Sequence, residues 1–241
     1  MARPTAEIIY ENTVPAIFLH RINRFTAAVL IDGQEEIVHV KNTGRLENLL
    51  LPRAKATLQK VSNPERKTGY DLISVYKPKL KWVNIDSLAP NELMKQYWIS
   101  QGSFDVIKPE YNYGNSRIDF YLENDGRKIL REVKGCTLVD DDRRGAGLFP
   151  DAPTERGVKH LKELTAAAHE GHQCSIDFVI QMNGIHLVLP NDQVQPEFRI
   201  ALSAAVSAGV QVCCFNCHVD ADRIKITGIN EISSLFKTNR S

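Results

Sequence analysis

From about residue 86 onward the chain alternates between strand-like and helix-like periodicity, and this restricts its fold more than any other feature. Runs at 117–122 and 129–133 read as strands joined by the turn Asn124-Asp125-Gly126. A helix is predicted over 154–170, where Val158, Leu161, Leu164 and Ala168 fall at helical spacing and Gly171 supplies the stop. Strands at 175–182 and 185–189, a helix at 197–208 and strands at 210–219 and 223–229 complete the series. Such an order is the mark of parallel βαβ units with right-handed crossovers. An α/β domain is therefore expected, opened by a helix over 87–101 with Leu93, Met94 and Tyr97 as its apolar stripe.

The first 85 residues have a different texture. Short runs at 16–22, 26–31, 36–40, 54–61, 70–76 and 81–85 read as strands, with Asp32-Gly33 as a hairpin signal. Five or six short strands with tight turns predict a small barrel or sandwich. The predicted boundary gives domains of 1–85 and 86–241, within what 241 residues can supply.

Charge divides the same way. Residues 1–85 carry 13 Lys and Arg against 8 acids, a net +5, and the remainder is net −4. The excess is densest at 41–81, with 10 basic residues against 3 acids. A basic module suits a polyanion such as DNA, because phosphate neutralisation drives sequence-independent binding. The plainer alternative is a well-solvated basic surface. No run approaches the roughly 18 apolar residues of a membrane helix. Residues 1–18 lack a basic region followed by a clean apolar core, so a secretory leader is not expected. The five cysteines then read as reduced thiols of a cytoplasmic protein.

The sharpest chemical feature is Asp119 in S-R-I-D-F, followed by Glu132 and Lys134 in R-E-V-K. Glu132 and Lys134 are two apart on one strand, so their side chains share a face. If the two strands pair, Asp119 approaches Glu132. Facing carboxylates repel unless a cation or a proton lies between them. Mg²⁺, which takes one or two carboxylates plus substrate phosphate oxygens, suits Asp119 and Glu132 as ligands, and Mn²⁺ is the alternative. Lys134 can orient or deprotonate a water, or stabilise charge developing on a phosphate. Together these predict metal-assisted phosphodiester hydrolysis, with Glu110 as a candidate third acid. Acid-x-Lys also recurs by chance, and the competing reading is an ordinary ion-paired strand edge.

The stretches N-T-G-R (42–45), S-R-I-D-F (116–120), E-V-K-G-C-T-L (132–138) and F-P-D-A-P-T-E-R-G-V-K-H-L-K-E-L (149–164) resemble the sugar fermentation stimulation protein A family. Arg24-Phe25 and the stretch 82–86 also fit its pattern, and the resemblance spans roughly 16–220. It implies an N-terminal OB-type β-barrel followed by a PD-(D/E)xK nuclease-like α/β domain with a mixed sheet. It also implies DNA binding and a nuclease activity. Asp119, Glu132 and Lys134 fall on the D…ExK positions, and Glu110 falls where a further acid is often found. Gly135-Cys136 departs from the serine-containing continuation expected there.

Arg156, Lys159 and His160 share a polar face near the start of the 154–170 helix, where the positive dipole end can meet a phosphate. In the barrel, Arg21, Arg24, Asn42 and Arg45 are the expected nucleic-acid contacts, while Phe25 is expected in the core. Cys214-Phe215-Asn216-Cys217-His218 matches the c-type haem pattern, but it lies in a predicted buried strand without an export signal, so haem is not expected. Asp140-Asp141-Asp142 reads as a solvated loop. DNA, single- or double-stranded, is the expected partner; no membrane is, and homo-oligomerisation stays open. Two functions compete: a metal-dependent nuclease, and a non-cleaving DNA-binding regulator of sugar metabolism genes that keeps the nuclease fold. Clustered acids facing phosphate favour the first, and the absence of a helix-turn-helix weakens the second.

Overall fold

The computed structural model describes residues 6–63, 65–114, 116–140, 142–143 and 145–237. Asp141 of the acidic run lies outside them. The first strand, β1 (Glu7–Ile9), is followed by five barrel strands: β2 (Thr13–Asn23), β3 (Thr26–Ile31), β4 (Gln34–His39), β5 (Lys55–Lys60) and β6 (Tyr70–Lys77). They run in the order β4-β3-β2-β5-β6, and a parallel contact between His39 and Asp71 closes the ring. This is the five-stranded Greek-key barrel of the OB type. Asp32 and Gly33 both take positive φ, as a two-residue hairpin between twisted strands requires. Phe18, Val29, Leu58 and Leu72 fill the barrel.

A sixth strand, β7 (Lys81–Asn84), pairs with β6 and leads to α1 (Ala89–Gln101). Pro90 starts that helix and Gly102, in the left-handed region, ends it. Then come β8 (Val106–Tyr113), β9 (Ser116–Asn124), β10 (Arg127–Cys136), β11 (Leu138–Val139), β12 (Ala146–Phe149), α2 (Glu155–His169), β13 (Gln173–Ile180), β14 (Leu187–Pro190), α3 (Pro196–Ser207), β15 (Gln211–Asp220) and β16 (Arg223–Glu231). The main sheet runs β1-β16-β15-β13-β10-β9-β8. Its centre is parallel, β10 with β13 and β13 with β15, as the two βαβ units demand. Antiparallel β9 and β16 flank that centre, so the sheet is mixed.

Helices cover both faces. Leu161, Leu164, Phe198 and Leu202 of α2 and α3 pack with Ile176 and Phe178. Leu93, Met94 and Trp98 of α1 pack with Phe120, Val133 and Phe215 on the other side. Each such fully buried side chain contributes about 1.5–3 kcal/mol of transfer free energy.

Three details depart from the expectations of the sequence. β1 pairs with β16, so residues 7–9 belong to the second sheet although they precede the barrel. β8 forms an edge strand in a segment with no clear strand signal. The strand expected at 185–189 does not pair with its predecessor, because β14 leaves the main sheet and pairs with β12 in a separate three-stranded sheet.

Candidate active site

β9 and β10 are antiparallel neighbours, and their ladder ends at the pair Arg131–Phe120. One residue further, the Asp119 side chain takes over: its Oδ2 accepts the Val133 N–H at 2.8 Å. Asn91, in the first turn of α1, donates to Oδ1 at 3.1 Å. Burial raises the Asp119 pKa, and the neighbouring charge of Glu132 raises it further against the pull of Lys134.

Glu132 is 1 % exposed. Lys134 shares its face of β10 and donates from Nζ to Glu132 Oε1. The Nδ1 of His160, from α2, meets the same oxygen. Arg156 Nε donates to His160 Nε2 at 3.3 Å. Since Nε2 accepts, the ring proton sits on Nδ1 and points at Glu132. Burial pushes the Glu132 pKa up, but Lys134 and His160 outweigh it and hold the pKa at about 2. One atom is left over. Glu132 Oε2 is buried and has no hydrogen-bond partner among the described residues.

The structure thus brings Asp119, Glu132 and Lys134 together. Glu110 stays at the rim. It lies on β8 between the pairs Pro109–Phe120 and Tyr111–Ile118, in left-handed backbone, with an exposed side chain ion-paired to Arg117 at 3.3 Å. His160 is not a solvated phosphate contact: it is 3 % exposed. The helical spacing could have found this, because the buried stripe of α2 is Gly157, His160, Leu161, Leu164 and Ala167. Lys159 is exposed, with Glu163 one turn on at 3.9 Å. Arg156 is exposed while its Nε holds His160. Among the described residues no group of three or more His, Cys, Asp or Glu is disposed to hold a metal.

In the barrel, Arg21 is not available to a ligand. Its guanidinium donates to the carbonyls of Asn23, Arg24, Asn42, Gly44 and Arg45 and so builds the 42–45 loop. Asn42 completes that turn, its Oδ1 accepting the Gly44 N–H at 2.8 Å. Arg24 and Arg45 are exposed. Phe25, expected in the core, is 49 % exposed, and the Arg24 guanidinium lies 5.1 Å from its ring centre.

Two family models match the chain: the SfsA N-terminal OB domain over residues 19–85 and the sugar fermentation stimulation protein RE domain over residues 88–223. A sugar fermentation stimulation protein homolog of Ruminiclostridium cellulolyticum is 45 % identical over 221 residues, covering 90 % of this chain and 96 % of the relative. One from Desulfitobacterium hafniense is 47 % identical over 219 residues, covering 90 % and 94 %. This chain belongs to the sugar fermentation stimulation protein family. The structure of Pyrococcus furiosus SfsA in complex with Ca²⁺ is similar throughout, with a TM-score of 0.83, 26 % identity and coverage of 93 % and 96 %.

Three of the sequence blocks that carry the family resemblance, 42–45, 132–138 and 149–164, meet where the two domains join. A side chain on Gly44 would strike Asp151, and one on Gly135, next to Lys134, would strike Gln181 and Pro90. Both are points of close approach, and at Gly135 the Pro90 ring leaves no room for a Cβ. Gln181 ties the sheet to the barrel by donating to Asn84 Oδ1 at 2.7 Å and to the Asp86 carbonyl at 3.0 Å. A cleft of about 140 Å³ opens at this junction, lined by Asn42, Ser87, Thr137, Asp151 and Gln181 among others. Cys214 and Cys217 of the haem-like pattern are buried residues of β15, and burial pushes the Cys214 thiol up to about 12. No helix among the described residues is long and apolar enough to cross a membrane.

Proposed function

We propose that this chain binds DNA through its barrel and hydrolyses a phosphodiester at Asp119, Glu132 and Lys134 with a divalent cation. The observation that carries the reading is the unpartnered Oε2 of Glu132, buried beside a second carboxylate and an ammonium. An orphaned anionic oxygen is costly in the interior, and a cation is the natural partner for it. Asp119 and Glu132 fit as ligands for Mg²⁺ or Mn²⁺, which need few protein carboxylates and keep positions for water and phosphate oxygens. The Pyrococcus furiosus protein forms a complex with Ca²⁺, which supports a divalent ion at this fold. Bound there, such an ion supplies positive charge against that developing on the phosphate.

The chain's own residues do the rest. Glu132 is kept ionised by Lys134 and His160. Lys134 places an ammonium at the reacting face, where it orients water and offsets negative charge. Arg24 and Phe25 form a cation-and-ring pair in the loop between the first two barrel strands, one of the loops with which OB barrels hold oligonucleotides. Arg45 adds an exposed charge beside the junction. The five buried free thiols fit a reducing, cytoplasmic setting.

The test is incubation of purified protein with single- and double-stranded DNA, with Mg²⁺ or Mn²⁺ and with chelator. Cleavage that disappears in chelator and in Glu132→Ala is expected, together with binding that weakens as salt rises. Binding without cleavage under every ion would make the chain a DNA-binding regulator instead. Salt-independent binding would refute the barrel assignment.

A further inference from the structure

Above, His160 serves only to keep Glu132 ionised and Arg156 has no role, yet the two form a chain of contacts that leads from the surface of α2 to the buried Glu132. Glu132 Oε1 is doubly engaged, by Lys134 Nζ and His160 Nδ1, while Oε2 has no partner among the described residues. That asymmetry has a consequence for the rotamer. A carboxylate whose one oxygen position is held by two donors has its plane fixed, so the direction of its second oxygen is fixed as well. The pinning from α2 depends on the histidine tautomer. A neutral imidazole donates from one nitrogen only, and the Arg156 N–H, aimed at Nε2, selects the form protonated on Nδ1. The backbone secures the ring as well. His160 lies on the buried stripe of α2, between Gly157 and Leu164, and the helix is capped by Thr154 Oγ1 accepting the Gly157 N–H at 3.0 Å.

We propose that His160 is a positioning residue for a divalent-cation site: with its tautomer set by Arg156, it saturates one oxygen of Glu132 and presents the other as the ligand atom. This rests on the metal reading of Asp119 and Glu132 given above. Partners that orient a ligating side chain from behind are worth about 10–100-fold in metal affinity.

The experiment is calorimetric titration of the full chain with Mn²⁺, alongside thermal melts to confirm folding. Wild type, Glu132→Gln, His160→Ala, His160→Asn and His160→Gln are compared. His160→Ala is expected to weaken Mn²⁺ binding about 10–100-fold. His160→Asn is expected to recover most of that loss, because its amide N–H lies near the position of Nδ1. His160→Gln, whose amide reaches toward the position of Nε2, is expected to recover less. A folded His160→Ala that binds Mn²⁺ as tightly as wild type overturns the proposal. If His160→Ala does not fold, equal affinities of the Asn and Gln variants overturn it. Wild type that binds no Mn²⁺, or Glu132→Gln that binds it as well as wild type, removes the metal reading itself and the proposal with it. Those two outcomes are distinct from a site that binds metal without regard to His160.

Discussion

Arg131 and Glu132 are consecutive residues of β10, and they face opposite sides of the same sheet. Arg131 turns toward α1. Its guanidinium stacks 4.6 Å from the Trp98 ring and donates to both oxygens of Asp177. Ser175 adds a hydroxyl to Asp177 Oδ1 at 2.7 Å. Glu132 turns toward α2 and meets Lys134 and His160. Both clusters are buried ion pairs, but they are finished differently. Each oxygen of Asp177 has a donor, and the leftover atom is an Arg131 N–H, Nε. In the second cluster the leftover atom is an anionic oxygen beside another carboxylate. A closed ion pair is structural. The Glu132 cluster keeps an anionic oxygen that the proposed cation would fill. Burial alone therefore does not separate the two clusters; the state of the last acceptor, beside a second carboxylate, does.

Three outcomes would break or sharpen this contrast. The largest concerns Asp177→Ala, which strands the Arg131 charge inside the protein. Removing one partner of a buried pair costs about 3–5 kcal/mol, so the urea midpoint should fall sharply. Any stabilisation by Mg²⁺ should persist in this variant, and a loss of less than about 1 kcal/mol would show that the Asp177 pair is not the closed structural unit described.

Glu132→Gln should do the reverse. Its metal-free cost is expected to stay below that of Asp177→Ala, because Gln removes the charge beside Lys134 but keeps an acceptor for Lys134 and His160. Its main effect should be to abolish stabilisation by Mg²⁺, which for wild type would be about 2.7 kcal/mol at a metal concentration a hundred times Kd. Melts with and without Mg²⁺ on the two variants separate the faces. If Asp177→Ala and Glu132→Gln lose the Mg²⁺ effect equally, the distinction fails.

The smallest effect is in acid. The folded pKa of Glu132, about 2, lies below the ordinary value of 4.5, so its stabilisation is complete above about 4.5 and is lost as pH falls through about 2. Burial raises the Asp177 pKa, with Arg131 opposing, so its contribution has the other sign and grows as pH falls. Glu132→Gln should consequently flatten the loss of stability between about pH 5 and about pH 3. Chemical denaturation across that range checks it; an unchanged slope would mean that Lys134 and His160 do not hold Glu132 ionised.

How much of this was legible beforehand depends on how local each signal is. The hairpin Asp32-Gly33 and the shared face of Glu132 and Lys134 announce themselves within a few positions, because turn chemistry and strand alternation act over that range, and the Asn124-Asp125-Gly126 turn brings in Asp119 from the preceding strand. β8 was hidden because Lys108, Pro109 and Glu110 interrupt its apolar pattern, as suits an edge strand. β1 was hidden because it has three residues and its partner lies more than two hundred positions away. Arg21 reads as one more basic residue until the loop folds round it, and five carbonyls then take its donors. Phe25 reads as core by type, yet its hairpin carries it clear of the barrel interior.

By itself, the sequence determined a first part of short strands suited to a barrel or sandwich, a second part of alternating strands and helices, and the strand face shared by Glu132 and Lys134. Those follow from periods of 2 and 3.6 residues and from turn residues, which are properties of the chain alone. The OB-type barrel and the mixed sheet came from the family resemblance. Only the tertiary structure decided which groups complete the site. His160 lies 28 positions after Glu132 and Asn91 lies 28 before Asp119, on helices that pack against opposite faces of the sheet. Whether a donor reaches a given oxygen depends on packing distances of a few ångströms between those elements. No local pattern encodes that distance, so the orphaned oxygen of Glu132 exists only once the fold has closed.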